Sequence, residues 1–312
     1  MVARGPRPGG PALGGPRLAV VPVDLSAVVL PDHAPAAFTA AAREAQATGL
    51  RTLWTYDHLS WRDFRDGPWF SAVPLLAAAA TATDTIRLGT LVASPNFRHP
   101  VPFAAELQTL DHLSGGRLDL GVGAGTSAQD AHVLGLPALT PADRQSRFEE
   151  WTDLLAALLS QRRTDAAGRW FTAADARVVP GPVQSPLPLT VAAAGPRGMR
   201  FAARTGAAWV TYGAAGDDLD AVAAGFTEPA RRFSQLLAEV APGRAVRRLA
   251  LVGLDEAAPF APGAYAGFLA RLEAAGFDEV CVHWPRPDGR GVPAAVFAEV
   301  LAAHGLAERS GG

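Results

Sequence analysis

Eight times along these 312 residues a short, nearly all-apolar run is followed by a longer run of helical periodicity. This alternation constrains the fold more than any other feature. The short runs are Arg17–Val23, Leu50–His58, Thr85–Ala93, Gly115–Gly125, Leu187–Gly195, Ala207–Gly213, Arg247–Leu254 and Phe277–Trp284. Strands that are apolar on both faces belong to a parallel sheet covered by helices, and eight such units close on themselves. The expected fold is α/β, a single (β/α)8 TIM barrel, with a doubly wound open sheet as the competing architecture.

Punctuation between the runs fits helices. An alanine-rich segment continues to Ala47 and stops at Gly49, and Pro100–Leu113 carries Phe103, Leu107 and Leu110 at helical spacing. A further helix opens where Thr140 can cap, Pro141 suits the first turn and Asp143 favours the positive end. Its buried face is Phe148, Trp151, Leu155 and Leu158. Residues Gln161–Pro188 break the rhythm with Gly, Pro and Arg, which reads as an insertion between strands 4 and 5. Residues 1–17 are a flexible Gly/Pro-rich tail, 18–307 the barrel domain and 308–312 a C-terminal tail.

Composition removes several function classes. All cationic side chains are arginine; the absence of lysine excludes Schiff-base chemistry, lysine-anchored pyridoxal phosphate and the phosphate-gripping P-loop. A formal net charge of -2 provides no basic stripe for nucleic acid, so the expected partner is a small-molecule substrate. Cys281 stands alone in an apolar run and reads as a buried, inert thiol in a reducing compartment. The longest apolar stretch, Ala72–Ala80, is too short to span a bilayer. The expectation is a cytoplasmic protein without membrane contact, and a homodimer through a helix such as the one bearing Trp151 is open. The seven histidines form neither H-x-H nor H-E-x-x-H, so no metal site is expected. Glycoside hydrolysis needs two carboxylates on one cleft, and only Asp255 and Glu256 keep that reading open.

Chemistry in a barrel of this kind sits at the carboxyl ends of its strands. That rule selects Tyr56-Asp57-His58, Ala93–His99, Gly123–Gln129 and Gly195-Pro196-Arg197. His58 can move a proton near neutral pH and Trp61 can wall a flat ligand, although a lone histidine also reads as a packed residue bonded to backbone. Gly121, Gly123 and Gly125 allow close approach of a ligand to backbone but lack the dinucleotide fingerprint, since a long loop is expected after them. Gly195-Pro196 before a helix, followed by Arg197, suggests an anion site; a simple proline helix start is the plainer reading. His99 in "SPNFRHP" reads most simply as a residue at a helix start.

Together, "LWTYDHLSW", "IRLGTLVASPNFRHP", "TLDHLSGGRLDLGVGAG" and "VAAAGPRGMRFAARTGAAWVTYG" resemble the bacterial luciferase-like monooxygenase superfamily, in particular its coenzyme F420-dependent oxidoreductase branch. The resemblance runs from about Arg17 to Leu306. It implies a bulge with a non-prolyl cis peptide at Leu91-Val92, with Ala93 alongside, supporting the back of a flavin-like ring. It also implies Asp57 and His58 near the reactive face, with His58 as general acid or base, and Trp61 lining the substrate pocket. Thr126 and Gln129 fall where the family contacts the cofactor, and Gly195, Pro196, Arg197, Tyr212 and Gly213 match its phosphate-binding region. Thr126 stands where the branch's sugar-phosphate dehydrogenases have a glutamate, and Ala214-Ala215 where some members have a lysine. The implied activity is hydride transfer between F420 and a small organic substrate. The alternatives are an FMN-dependent monooxygenase and a non-catalytic cofactor-binding barrel.

Overall fold

The computed structural model describes residues 23–125, 129–214 and 216–306. Eight parallel strands form a closed barrel: β1 (Asp24–Val28), β2 (Thr52–Thr55), β3 (Arg87–Ala93), β4 (Leu118–Gly123), β7 (Leu189–Ala192), β8 (Ala208–Thr211), β9 (Arg247–Leu251) and β10 (Glu279–His283). Between β4 and β7 the expected insertion contains an antiparallel pair, β5 (Thr164–Ala167) and β6 (Thr172–Ala176). The outer layer is α1 (Pro35–Thr48), α2 (Ala72–Ala82), α3 (Pro100–Ser114), α5 (Pro141–Ser160), α6 (Pro196–Thr205), α7 (Leu219–Val240), α8 (Tyr265–Ala274) and α9 (Ala294–Ala303). A short helix, α4 (Gln129–Val133), follows β4. None of the described helices is long and apolar enough to cross a membrane.

Two expectations are corrected. The strand that pairs with both β2 and β10 is Asp24–Val28, where the expectation was Arg17–Val23, of which residues 17–22 lie outside the described part. The expected strand stops before Asp24, but past Asp24 and Ser26 the apolar residues continue to Leu30, and Leu25 and Ala27 turn to the helices while Val28 turns inward, as a strand requires. The segment after the β4 glycines is not a long loop throughout, because α4 forms within it.

The strands sort their side chains between two cores, as period-2 geometry requires. Leu53, Val191, Trp209, Ala250, Val280 and Val282 face the helices, whereas Trp54, Ala192, Val210, Leu249, Leu251 and Cys281 fill the barrel. Trp54 fits inside because Gly89 faces it: a Cβ there would lie 2.5 Å from the indole ring. On the outside, the helix caps behave as the sequence implies. Gly49 closes α1 at φ 85°, the Thr140 hydroxyl accepts from the Asp143 amide at 3.1 Å, and Phe148, Trp151, Leu155 and Leu158 are buried.

Charges plug the amino-terminal end of the barrel. Arg247 reaches Asp24 at 2.8 Å and Glu279 at 3.2 Å, while Arg87 grips Asp119 through two hydrogen bonds of 2.7 and 2.8 Å. Burial pushes the Glu279 carboxyl up to about 7, against the opposing pull of the Ser26 hydroxyl, Arg247 and Arg51. This end is therefore structural, and the opposite mouth is where polar residues meet open space.

Candidate active site

At the end of β3 the ladder to β4 shifts register between Thr90 and Ala93, and the Leu91-Val92 peptide is cis. The consequence shows in the packing. Leu91 and Val92, consecutive residues, both join the barrel interior, and Ala93 returns to the helix side. A regular strand would send one of the pair outward; a bulge turns two together and makes a ridge at the mouth. Small residues keep its surroundings clear. A Cβ on Gly123 would stand 2.7 Å from the Val92 side chain, and Ala192 to Gly195 leave the β7 end low. A flat ring resting on Val92 fits this arrangement.

Beside the ridge, β2 runs out into Tyr56-Asp57-His58. The His58 Nδ1 lies 2.8 Å from Asp130 Oδ2 in α4, and Asp130 Oδ1 accepts from the amides of Leu59 at 2.7 Å and Ser60 at 3.4 Å. Asp130 has no exposed surface. Its carboxylate only accepts, so it holds the histidine proton on Nδ1 and leaves Nε2 as the nitrogen that meets a ligand. The backbone is held as well: Trp69 Nε1 donates to the His58 carbonyl at 2.8 Å. Trp61 stacks on Phe64 and Trp69 at 5.5 and 5.9 Å and meets Tyr56 edge-on at 4.9 Å, forming a firm aromatic wall. Gln129 Oε1 accepts from the Arg62 amide at 3.0 Å, tying α4 to the same loop.

Asp57 sits differently from His58. It is buried, and Arg98 holds it in two hydrogen bonds of 2.8 and 3.1 Å while also bonding Glu106. Arg98 is itself anchored, since its carbonyl accepts from Trp151 Nε1 at 2.7 Å. The pair fastens the loop after β3 to the end of β2. His99 caps α3, its Nδ1 accepting from the Val101 amide at 3.3 Å.

Inside the mouth, the Tyr56 hydroxyl donates to His283 Nε2 at 2.8 Å, with His283 Nδ1 on the Val252 carbonyl at 3.1 Å. Burial lowers the His283 imidazole to about 3 and raises the Tyr56 phenol. His283 is thus a neutral core histidine, and His58 is the one with access to solvent.

Across the mouth lie the remaining predicted residues. Gly195 caps α6 with Pro196 in its first turn, where leading amides have no intrahelical partner. Arg197 bonds Glu149 at 2.7 and 3.0 Å, so an anion here shares the guanidinium with a carboxylate. Tyr212 is exposed at the β8 end, beside Gly213 at φ 64°. Thr126 and Ala215 lie outside the described residues. His58, Trp61, Gln129, Leu91 and Val92 are therefore gathered on one side of the mouth and Gly195 to Arg197 on another, while Ala93, expected beside the ridge, packs its side chain against the helices. Asp130 and Trp69 were not anticipated, and Arg98, inside the selected Ala93–His99 stretch, was given no role there. Asp130 was the first acid after the β4 glycines, a signal that spacing alone leaves mute.

The family model for luciferase-like monooxygenases matches residues 18–258. A protein of Beutenbergia cavernae named F420-dependent glucose-6-phosphate dehydrogenase is 38% identical over 177 residues, 56% of this chain and 52% of that protein. A Streptomyces nodosus subsp. asukaensis protein named 4-hydroxyprotoasukamycin monooxygenase is 41% identical over 174 residues, 53% of this chain and 44% of its own. The chain thus spans about half the length of these curated relatives. Among solved structures, an F420-dependent secondary alcohol dehydrogenase shares the fold with a TM-score of 0.68 at 20% identity, covering 84% of this chain and 93% of the other. The F420-dependent tetrahydromethanopterin reductase of Methanopyrus kandleri shares it with a TM-score of 0.65 at 19% identity, covering 85% and 94%. A closed eight-stranded barrel, a ridge at the third strand and a match that spans most of the sequence lead to one conclusion: the chain belongs to the luciferase-like monooxygenase family.

Proposed function

We propose that this chain is an oxidoreductase that binds coenzyme F420 at the barrel mouth and passes a hydride between it and a small organic substrate. The observation that carries this reading is the His58–Asp130 pair standing beside the Leu91–Val92 ridge, because it sets a proton-transfer group next to a surface shaped for a flat ring. The relatives named for F420 support the choice of cofactor. When bound, the reduced deazaflavin supplies a hydride to the acceptor carbon. Leu91 and Val92 would support the ring's back, whereas Ala93, assigned there by resemblance, turns its side chain to the helices; Gly195, Pro196, Arg197, Tyr212 and Gly213 would hold the phosphate-bearing side. Gln129 steadies the Arg62 loop; Thr126 is assigned to the cofactor by resemblance alone.

The chain's own part in the reaction is the proton. In reduction of a carbonyl, the His58 imidazolium gives its Nε2 proton to the substrate oxygen as the carbon gains the hydride. In the reverse direction neutral Nε2 removes the hydroxyl proton. Asp130 keeps Nδ1 protonated in either case. Trp61 walls the substrate side, and Asp57, clamped by Arg98, positions the loop that bears His58.

Fluorescence titration of the purified chain with F420 and with FMN tests the reading. Saturable F420 binding is expected, and His58→Ala should keep that affinity while lowering turnover about 10²- to 10⁴-fold. Binding of FMN with no response to F420 would overturn it in favour of an FMN-dependent monooxygenase; one of the relatives is named as a monooxygenase. Binding without turnover on any acceptor would favour a cofactor-carrying barrel.

A further inference from the structure

Four large apolar side chains stand open to solvent on the two segments that the His58–Asp130 bond joins. Leu59 is 41% exposed, Val133 55%, Leu134 49% and Leu136 48%. Leu59 adjoins the histidine, and its amide is bonded to Asp130. Val133 ends the short helix α4 three residues beyond Asp130, and Leu134 follows in the turn, its amide bonding the Asp130 carbonyl at 3.4 Å. Leu136 follows, its amide on the Ala131 carbonyl at 2.8 Å. Single exposed leucines are ordinary, but an apolar group of this size on the rim of a site marks a surface that something covers.

The charges on this side of the mouth say what kind of molecule that is. Arg98 is held by Asp57 and Glu106, and Arg286 by Asp32 and Asp288. Arg290 is held by Asp63 and Asp255, and Arg62 lies over the Trp61 ring with Asp255 3.7 Å away. The chain contains no lysine. An anionic substrate group here would compete with a carboxylate for Arg98, Arg286 or Arg290, or draw on the exposed Arg62, whereas a neutral one leaves the close pairs intact.

We propose that the acceptor taken beside His58 is an uncharged, predominantly apolar molecule, bound by Leu59, Val133, Leu134 and Leu136 opposite the Trp61 wall. This rests on the hydride-transfer reading for its chemistry: the acceptor's carbonyl carbon gains the hydride, its oxygen gains the His58 proton, and the cofactor is oxidised by two electrons. A charged sugar phosphate does not meet this surface.

The test uses the full chain and reads quenching of tryptophan fluorescence by linear 2-alkanones from acetone to 2-nonanone, with glucose 6-phosphate and inorganic phosphate alongside. Affinity should rise about threefold to fourfold per added methylene, the value of ~0.8 kcal/mol per buried CH₂, and the phosphates should leave the signal unchanged. The double variant L134D/L136D, both exposed positions, should flatten the series while F420 affinity stays the same. A flat series in the parent chain, or binding by glucose 6-phosphate that matches the longest ketone, would overturn the proposal. So would a series unchanged in the variant together with a fall in oligomeric mass, because a second copy of the chain would then be what covers the patch. F420 affinity, measured separately, keeps a failure of this proposal distinct from a failure of the cofactor reading.

Discussion

Removing the carboxylate at position 130 should cost stability and function together, and by amounts the geometry sets. Asp130 is fully buried and makes two short hydrogen bonds, 2.8 Å to His58 Nδ1 and 2.7 Å to the Leu59 amide; the third, at 3.4 Å to Ser60, is too long to weigh heavily. Bonds to a charged group contribute about 1.5–3 kcal/mol each, so Asp130→Ala should lose about 3–6 kcal/mol. Asp130→Asn keeps an oxygen for the Leu59 amide and turns an N–H toward His58, costing about 1–2 kcal/mol. The Asn variant also reverses the tautomer, since Nδ1 must then accept and the proton moves to Nε2. Urea unfolding followed by tryptophan fluorescence measures the first effect, and ¹⁵N NMR of the His58 ring the second. Turnover should fall about 10²-fold or more in both variants, from loss of a positioned acid–base group. An Ala variant within about 0.5 kcal/mol of the parent chain, or an Asn variant with unchanged ring nitrogens, would refute the reasoning.

Other expectations follow from the same packing and charges. Gly123→Ala places a methyl 2.7 Å from the Val92 side chain, so the ridge must shift; F420 affinity should fall measurably while thermal unfolding loses about 1–3 kcal/mol. An unchanged titration would remove Val92 from the cofactor site. Arg98→Met strands the buried Asp57 carboxylate and should destabilise by about 3–5 kcal/mol, much of it recovered by adding Asp57→Asn, as a double-variant cycle would record. Glu279 has a folded pKa raised from 4.5 to about 7, so its contribution to stability is fully present below pH 4.5 and is lost as pH rises through about 7. Glu279→Gln should flatten that decline, which amounts to about 3 kcal/mol at most; an identical pH profile in the variant would contradict the assignment.

The barrel was legible in the sequence because parallel strands carry apolar residues on both faces and helices carry a different period, and the two signals do not overlap. Where a strand carries polar residues, as Asp24 and Ser26 do in the first one, the apolar signal misplaced it at Arg17–Val23 and pairing with Glu279–His283 fixed it at Asp24–Val28. The mouth was legible in part. Tyr56-Asp57-His58 is continuous in sequence and the strand-end rule finds such a cluster, whereas the ridge at Leu91-Val92 was expected only from the resemblance. Residues that complete them from afar do not announce themselves: Asp130 is 72 positions from His58 and Arg98 is 41 from Asp57, so only closure of the barrel brings them together. The notion that Asp57 faces the reaction meets the same limit, because the guanidinium that occupies it belongs to another strand's loop. Trp69 was overlooked for a simpler reason, since nothing in "DGPWF" marks its indole as bound for the His58 carbonyl.

A crystal structure of the chain with F420 bound tests the central claim most directly. The account predicts the deazaflavin ring with its back against Leu91 and Val92 and His58 Nε2 turned toward the space in front of it, with the Asp130 bond to Nδ1 retained. A ring bound away from that ridge, or a His58 whose Nδ1 has left Asp130 to meet the ligand, would contradict it.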